Sequence, residues 1–333
     1  MARRQFVNDP QDFVSEALEG LELIHHRTVR FDRAARIIVR AGEQAGPKVG
    51  LVSGGGSGHE PLHSGFVGVG MLDAAVPGAI FSSPTAAQVH AATVAADRGQ
   101  GVLQIIKNYT GDVMNFAIAA DLAADDGVEV RSVIVDDDLA TDGQEDGPGR
   151  RGTAAVVAVE KICGAAAERG VGLEELAALA VRVDSAARTM ALALEPLTHP
   201  GAERTSFDLP DGDVELGIGI HGERGVARIP FAPARELVRA LAEPVVEALG
   251  LAPGDRVIAI VNGLGATHPL ELAVVHRELT MLLDARGVAV ARALVGSYVT
   301  ALDMGGCSIT LVRADDELLN LWDAPVDTPA LRW

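Results

Sequence analysis

Cysteine is nearly absent. The 333-residue chain holds two, Cys163 and Cys307, far apart in sequence. Two such thiols build neither a disulfide framework nor a metal site by themselves, which fits a reducing cytosol. Positive charge is also scarce, with 28 Lys and Arg against 46 Asp and Glu, a net charge of −18 and a pI near 4.8. Such a surface repels phosphate backbones and anionic lipid, which argues against nucleic-acid and membrane-surface binding. A local nest of backbone amides can still hold a phosphate against that field. No apolar segment follows the basic start of the chain, so no secretory signal is expected. No window has the length of a membrane span. Leu173–Leu194 comes nearest, but Glu174, Glu175, Arg182, Asp184 and Arg188 interrupt it. A soluble, cytoplasmic protein is the expectation. There is no internal repeat, no low-complexity segment, and no Gly-x-Ser-x-Gly elbow with its usual partners.

Apolar residues, in contrast, make up 48% of the chain, enough for one large core or two ordinary ones. Strand-like runs at Val49–Val52, Gly101–Ile106, Val128–Val135, Glu215–His221, Arg256–Val261, Val288–Leu294 and Ser308–Val312 alternate with helical patterns. Those patterns cover Gln11–Leu21, Pro84–Ala96, Val113–Ala124, Thr153–Arg169, Leu173–Leu194, Pro233–Leu249 and Pro269–Arg286. The alternation predicts an α/β protein of two α/β domains with mixed sheets and a substrate site at strand-end loops. Asp136–Gly152, with six acidic residues and four glycines, reads as a long solvated loop. Glu195–Gly212, rich in Pro and Gly, reads as the crossing between domains. The expected division is therefore 1–189, with the glycine loop, and 190–333.

Three loops carry the candidate chemistry. The first is Ser53–Pro61 (SGGGSGHEP), where Gly54, Gly55, Gly56 and Gly58 give up side-chain packing before a titratable His59. Chains accept that entropic cost where backbone must approach something closely. The loop lacks the Lys-Ser/Thr ending of a Walker A motif and the spacing of a dinucleotide fingerprint, and a tight strand-to-helix turn with a bystander histidine is the bland alternative. The second is Lys107–Asp112 (KNYTGD) at a strand end, where α/β sheets gather ligands. Asp112 is equally readable as a helix N-cap, and Lys107 as a surface lysine. The third is Leu216–Gly225, which leaves the His221 imidazole between glycines, open to close approach; here the functional reading is preferred. The turns at Asn262–Thr267 and Asp303–Gly306 read as structural. His25, His26, His63, His90, His199, His268 and His276 read as surface or hydrogen-bonded core. Asp136, Asp137 and Asp138 read as a solvated face rather than a cation site.

Taken together, these pieces resemble the substrate-binding subunit of dihydroxyacetone kinase, the DhaK-type family. The matching segments are Leu51–Met71, Pro77–Thr85, Lys107–Asp112, Gly149–Thr153, Gly219–Gly222 and Asp303–Trp322, closing with Trp322-Asp323-Ala324-Pro325. The resemblance implies a two-domain subunit, usually a homodimer, that binds a short ketose covalently. It implies that His221 attacks the ketone carbon to give a hemiaminal and that Asp112 takes the proton of the terminal hydroxyl. It further implies that His59 hydrogen-bonds the substrate, that Gly56, Ser57 and Gly58 give loop contacts, and that Lys107 meets substrate oxygens. No cofactor is expected on this chain and no metal ligands are assigned, because it shows no nucleotide-binding motif. ATP or ADP with Mg²⁺ is expected on a separate nucleotide-binding kinase subunit, with ATP and a phosphoenolpyruvate-dependent relay both open as the phosphoryl source. Arg224 stands where the family commonly has proline, and Gly263 where a second asparagine is frequent. Substrate identity, dihydroxyacetone or a four-carbon ketose such as erythrulose, stays open, as does a ketose-sensing regulatory paralogue.

Overall fold

The computed structural model describes residues 4–42, 46–143 and 149–333. The chain divides into two compact units. One, the glycine unit, comprises Val7–Val135, Val156–Val183 and Asn320–Trp333; the other, the His221 unit, comprises the chain start up to Phe6, Asp136–Ala155 and Asp184–Leu319. A single crossing near residue 190 is therefore not what the chain does. Residues 136–155 and the last fourteen residues change sides as well, because they pack with partners distant in sequence. Glu195–Gly212 lies wholly within the His221 unit and is not a crossing.

The glycine unit begins with α1 (Phe13–His25), then β1 (Val29–Asp32), β2 (Ile37–Arg40), β3 (Gly50–Ser57) and β4 (Ala74–Ile80). There follow α2 (Ala86–Ala96), β5 (Val102–Lys107), α3 (Thr110–Asp125) and β6 (Val130–Val135), with α4 (Ala155–Glu168) and α5 (Leu173–Ser185) after it. The sheet order is β1-β2-β4-β3-β5-β6, with β4, β3, β5 and β6 parallel and β1 and β2 added antiparallel at one edge. The buried faces of α2 and α3 pack Val89, Ala92, Phe116 and Ala119 with Val52, Val76, Val102 and Ile106 of the strands. Covered parallel strands read as unbroken apolar runs, which is why β3 and β5 were legible. From β3 the chain moves to β4 on one side, then returns to β5 on the other. The carboxyl ends of β3 and β5 thus flank a topological switch point, where open α/β sheets bind ligands.

The His221 unit contains β7 (Ala187–Glu195), β8 (Asp213–Leu216), β9 (Ala227–Pro230), α6 (Ala234–Ala248), β10 (Arg256–Gly263), α7 (Pro269–Asp284), β11 (Ala289–Gly296) and β12 (Gly305–Arg313). The last helix, α8, spans Asp316–Trp322. The order is β11-β10-β12-β7-β8-β9, parallel only between β10 and β11, so both sheets are mixed. Leu237, Leu241 and Val245 of α6 and Leu272, Leu279 and Leu283 of α7 pack with Val257, Val261, Ile309 and Leu311 of the strands. The helix expected over Leu173–Leu194 stops at Ser185, and its second half is the central strand β7. Ala, Met and Leu favour a helix locally, but pairing to β12 on one side and β8 on the other overrides that preference. Among the described residues no helix is long and apolar enough to cross a membrane.

The solvated reading of Asp136–Gly152 is also corrected over its described part; residues 144–148 lie outside the described residues. Asp137 is fully buried and accepts hydrogen bonds from the Thr153 and Ala155 amides and the Thr153 and Thr189 hydroxyls. Asp138 is buried against Arg151. These carboxylates tie strand ends together, and four donors around Asp137 are what allow it to be dry.

The glycines of β3 give the fold its sharpest test. A Cβ on Gly54 would lie 2.6 Å from the Val76 carbonyl oxygen and 2.9 Å from the Val76 Cβ. Gly54→Ala should therefore lower stability by about 1–3 kcal/mol through overpacking. Gly20, inside α1, has nothing described within 4 Å of an added Cβ. Gly20→Ala should instead raise stability by about 0.5–1 kcal/mol. Urea unfolding of the two variants should show midpoints moving in opposite directions; an unshifted midpoint for Gly54→Ala would contradict the close approach of β3 to β4.

Candidate active site

The glycine motif is not a loop. Ser53–Ser57 stay in β3, paired to β4 and in part to β5, and no helix follows directly. The glycines serve close backbone approach. A Cβ on Gly56 would lie 2.6 Å from the Ser82 nitrogen, and one on Gly55 would collide with the Lys107 ammonium. The Ser57 hydroxyl donates to the Gly78 carbonyl at 2.7 Å, which fastens β3 to β4. Gly58 adopts φ +103°, and its amide donates to the Glu60 carboxylate at 2.9 Å. This turn delivers His59 into a fully buried position, its ring stacked on Phe81 with centroids 4.9 Å apart and planes 19° from parallel.

Lys107 is the last residue of β5 and is 1% exposed, so it is no surface lysine. Asp112 lies in the first turn of α3, three residues beyond Tyr109, which occupies the N-cap; the capping alternative for Asp112 is thereby excluded. The Asp112 carboxylate is 3.9 Å from Lys107 Nζ, and its Oδ1 has no hydrogen-bond partner among the described residues. A buried, under-satisfied carboxylate oxygen beside a cation is the kind of group expected at a reaction site. On the other side, Lys107 Nζ donates to the Gly54 carbonyl at 3.2 Å and lies 2.8 Å from His63 Nε2. His63 Nδ1 is in turn 2.6 Å from Glu160 Oε1 on α4. His63 is thus hydrogen-bonded core, one of the two readings its sequence context allows, and the sequence does not single out Glu160.

Burial dominates the electrostatics of this cluster. It pulls the Lys107 ammonium below its ordinary value, against the charges of Asp112 and Glu160. It holds His63 well below the usual imidazole range, with Lys107 and His59 acting in the same direction. It pushes Glu160 up to about 8, opposed by the Ser53 hydroxyl and the Lys107 charge.

His221 belongs to the other unit. The strand expected over Glu215–His221 ends at Leu216, and the histidine sits in the connection from β8 to β9. Gly217 turns with φ +78°, which a Cβ disfavours. Glu223, two residues on, bridges back: one carboxylate oxygen accepts the His221 amide at 2.8 Å and the other lies 2.8 Å from His221 Nδ1. Gly219 has no side chain because the Glu223 carboxylate and the Arg151 guanidinium fill that space. Arg151 is itself held by Asp138 at 2.7 Å and by the Gly217 carbonyl at 3.0 Å. Burial alone would raise Glu223, but the His221 hydrogen bond, the His221 charge and Arg151 hold it down at about 2. An ionised carboxylate only accepts, so in the neutral ring the proton resides on Nδ1 and Nε2 carries the lone pair.

The structure thus gathers His59, Lys107 and Asp112 with Gly56–Gly58 in one unit and sets His221 within a hydrogen-bonded turn of the other. The residues missed from sequence are Glu223, Arg151, Phe81, His63 and Glu160. Two of them left a trace: Glu223 completes the GIHGE run, and Glu160-Lys161 is a charged pair inside an otherwise apolar stretch. In the first of the turns read as structural, both ends of the Asn262 amide bind backbone at Tyr298 and Val299.

Comparison with known proteins sets this geometry in a family. The chain is 46% identical to the PTS-dependent dihydroxyacetone kinase 1, dihydroxyacetone-binding subunit DhaK, of Listeria innocua, over 98% of this chain and 99% of that one. Among solved structures, the native dihydroxyacetone kinase of C. freundii matches with a TM-score of 0.88 at 34% identity, over 99% of this chain and 60% of that one. A dihydroxyacetone kinase operon co-activator, DhaQ, matches with a TM-score of 0.88 at 32% identity, over 95% of this chain and 96% of that one. The Dak1 domain matches residues 19–330, and the chain belongs to the Dak1 family.

Proposed function

We propose that this chain is the dihydroxyacetone-binding subunit of a cytoplasmic dihydroxyacetone kinase. It captures the ketose covalently on His221 and presents a terminal hydroxyl to a separate, nucleotide-bearing partner. The observation that carries this reading is the His221–Glu223 pair: a carboxylate on Nδ1 directs the imidazole lone pair to Nε2, the atom required for attack on a carbonyl carbon. Full-length identity to a protein named a dihydroxyacetone-binding subunit supports the choice of ketose and of a separate phosphoryl donor.

In the capture step, the Nε2 lone pair forms a bond to the ketone carbon while the C=O π pair moves to oxygen. The oxygen gains a proton, the ring gives up its Nδ1 proton, and a neutral hemiaminal results. Glu223, ionised at neutral pH, stabilises the positive ring that forms on the way. Glycerol has no carbonyl and is excluded by the absence of a bond, a stronger filter than hydrogen bonding provides. In the transfer step Asp112 takes the hydroxyl proton as that oxygen attacks phosphorus, and Lys107 and His59 supply charge and hydrogen bonds around the substrate oxygens. The donor nucleotide, ATP or ADP, with its Mg²⁺, belongs to the partner in this scheme.

The likeness to an operon co-activator favours one rival, a ketose sensor without transfer. A sensor has no use for a base, so Asp112 separates the two readings. With dihydroxyacetone labelled with ¹³C at the carbonyl, the wild-type chain should convert the ketone resonance to a hemiaminal resonance. His221→Ala should abolish that signal, and Glu223→Gln should reduce its occupancy about tenfold, equivalent to about 1.4 kcal/mol. A full adduct signal in His221→Ala would overturn covalent capture. Asp112→Asn should keep the adduct yet lose about 10²–10⁴-fold in turnover, measured with a nucleotide-bearing kinase subunit and either dihydroxyacetone or erythrulose. Adduct without turnover in the wild type, for both ketoses, would favour the sensor.

A further inference from the structure

Of the Lys107–His63–Glu160 line only Lys107 takes part in the transfer step; His63 and Glu160 have no part in either step, yet they occupy the dry interior of the glycine unit. All three side chains are buried, at 1%, 5% and 0% exposure. They join four separate elements of the unit: β5 supplies Lys107, the segment after β3 supplies His63, α4 supplies Glu160, and α3 brings Asp112 to the open end. A buried polar line of this kind is costly unless each member is satisfied, so its hydrogen-bond directions are constrained.

Those directions admit two arrangements. An ammonium has no lone pair, so a charged Lys107 forces His63 Nε2 to accept. The ring proton then lies on Nδ1 and is donated to an ionised Glu160, 2.6 Å away. In the other arrangement Glu160 carries the proton and donates to Nδ1, and Nε2–H donates to a neutral Lys107 amine, 2.8 Å away. Both hold the same number of protons. They interconvert when the proton on Lys107 Nζ passes to Nε2 while the Nδ1 proton passes to Glu160 Oε1, with no co-reactant.

We propose that His63 and Glu160 are positioning residues for the reaction site: they form a buried relay that holds Lys107 as an ammonium beside an ionised Asp112 and takes up its proton when Asp112 becomes neutral. The proposal rests on the reading of Asp112 as the base that is neutralised during transfer. Its consequence is that the buried Lys107 ammonium and Glu160 carboxylate, held apart by the imidazole, neutralise each other once Asp112 has taken the substrate proton. Groups facing the line are Asp112 and the Gly54 carbonyl at Lys107, His59 at the imidazole and the Ser53 hydroxyl at Glu160. The opposed displacements of Lys107 downward and Glu160 upward bring the two arrangements close in energy, which a relay requires.

The chain is well suited to a direct test, because it has three lysines, Lys48, Lys107 and Lys161. In protein labelled with ¹⁵N in lysine and histidine, the Lys107 resonance is assigned as the one lost in Lys107→Arg. In the wild type, His63 should be protonated on Nδ1 above about pH 8, where Glu160 is ionised. In Asp112→Asn, whose side chain mimics the neutral base in shape, His63 should switch to the Nε2–H form and Lys107 should show a neutral amine. Glu160→Gln removes the acceptor and one stabilising charge, so the Lys107 titration midpoint should fall by about one pH unit or more. Glu160→Asp, still ionisable, should restore much of that loss. An unchanged His63 tautomer in Asp112→Asn, or an unchanged Lys107 midpoint in Glu160→Gln, would overturn the relay. Both readouts use the chain without partner or ketose, so a failure of the turnover assays leaves them independently interpretable.

Discussion

The glycine unit is organised around the problem of keeping a lysine ammonium in a place without water. Lys107 emerges at the end of a fully buried parallel strand, where its charge has no solvent. Gly55 leaves the volume that the ammonium fills, Gly54 lends a carbonyl, and His63 and Asp112 flank it on opposite sides. Remove any of these and a buried cation loses partners it cannot replace. The glycine-rich segment is therefore part of an electrostatic site before it is a turn. Its amides and carbonyls are paired as strand, and the missing side chains make room for Lys107 and for the neighbouring backbone of Phe81 and Ser82.

Placement at the switch point between β3 and β5 explains why these residues meet at all. Two adjacent parallel strands deliver their carboxyl ends together, and the chain leaves them in different directions, so the space beyond is filled by side chains rather than by a crossover. His59 and His63 follow β3, Lys107 ends β5, and Asp112 begins the helix after it. Acidity of the whole surface matters little here. At −18 the chain repels anions at a distance, but a buried ammonium in a low-dielectric site sets the local potential.

How much of this was legible in the sequence depends on the range of the interaction involved. Near-continuous apolar runs marked β3, β5 and β10, because covered strands need them. The short edge strands β1 and β9 carry no such run, β2 has only the three residues Ile37–Val39, and β7 looks helical because Ala, Leu and Met do not reveal pairing partners. The residues His59, Lys107, Asp112 and His221 stood out through glycines beside them. Glu223 lay within the same motif, yet its role needs the turn geometry that folds its carboxylate back onto His221. Glu160 lies 97 residues from His63 and meets it only through the tertiary fold. Asp137 and Asp138 were misread for the same reason: a charge run looks solvated until its hydrogen-bond donors, from Thr153 to Thr189, are brought to it.

The chain uses one chemical pair twice with opposite results, and burial decides between them. His63 with Glu160 and His221 with Glu223 both join Nδ1 to a carboxylate, at 2.6 and 2.8 Å. Glu223 is about a third exposed, accepts a backbone amide as well, and has Arg151 nearby, so it stays ionised down to about pH 2. Its histidine side chain is 21% exposed, and in the neutral ring the lone pair lies on Nε2. Glu160 is dry, its second oxygen has no hydrogen-bond partner among the described residues, and the nearest cation lies beyond the imidazole. Its carboxylate is correspondingly easy to protonate, and its histidine hands Nε2 to a lysine. In the proposed scheme the same dyad therefore serves as a nucleophile where solvent and an arginine keep the carboxylate charged, and as a proton store where neither is present.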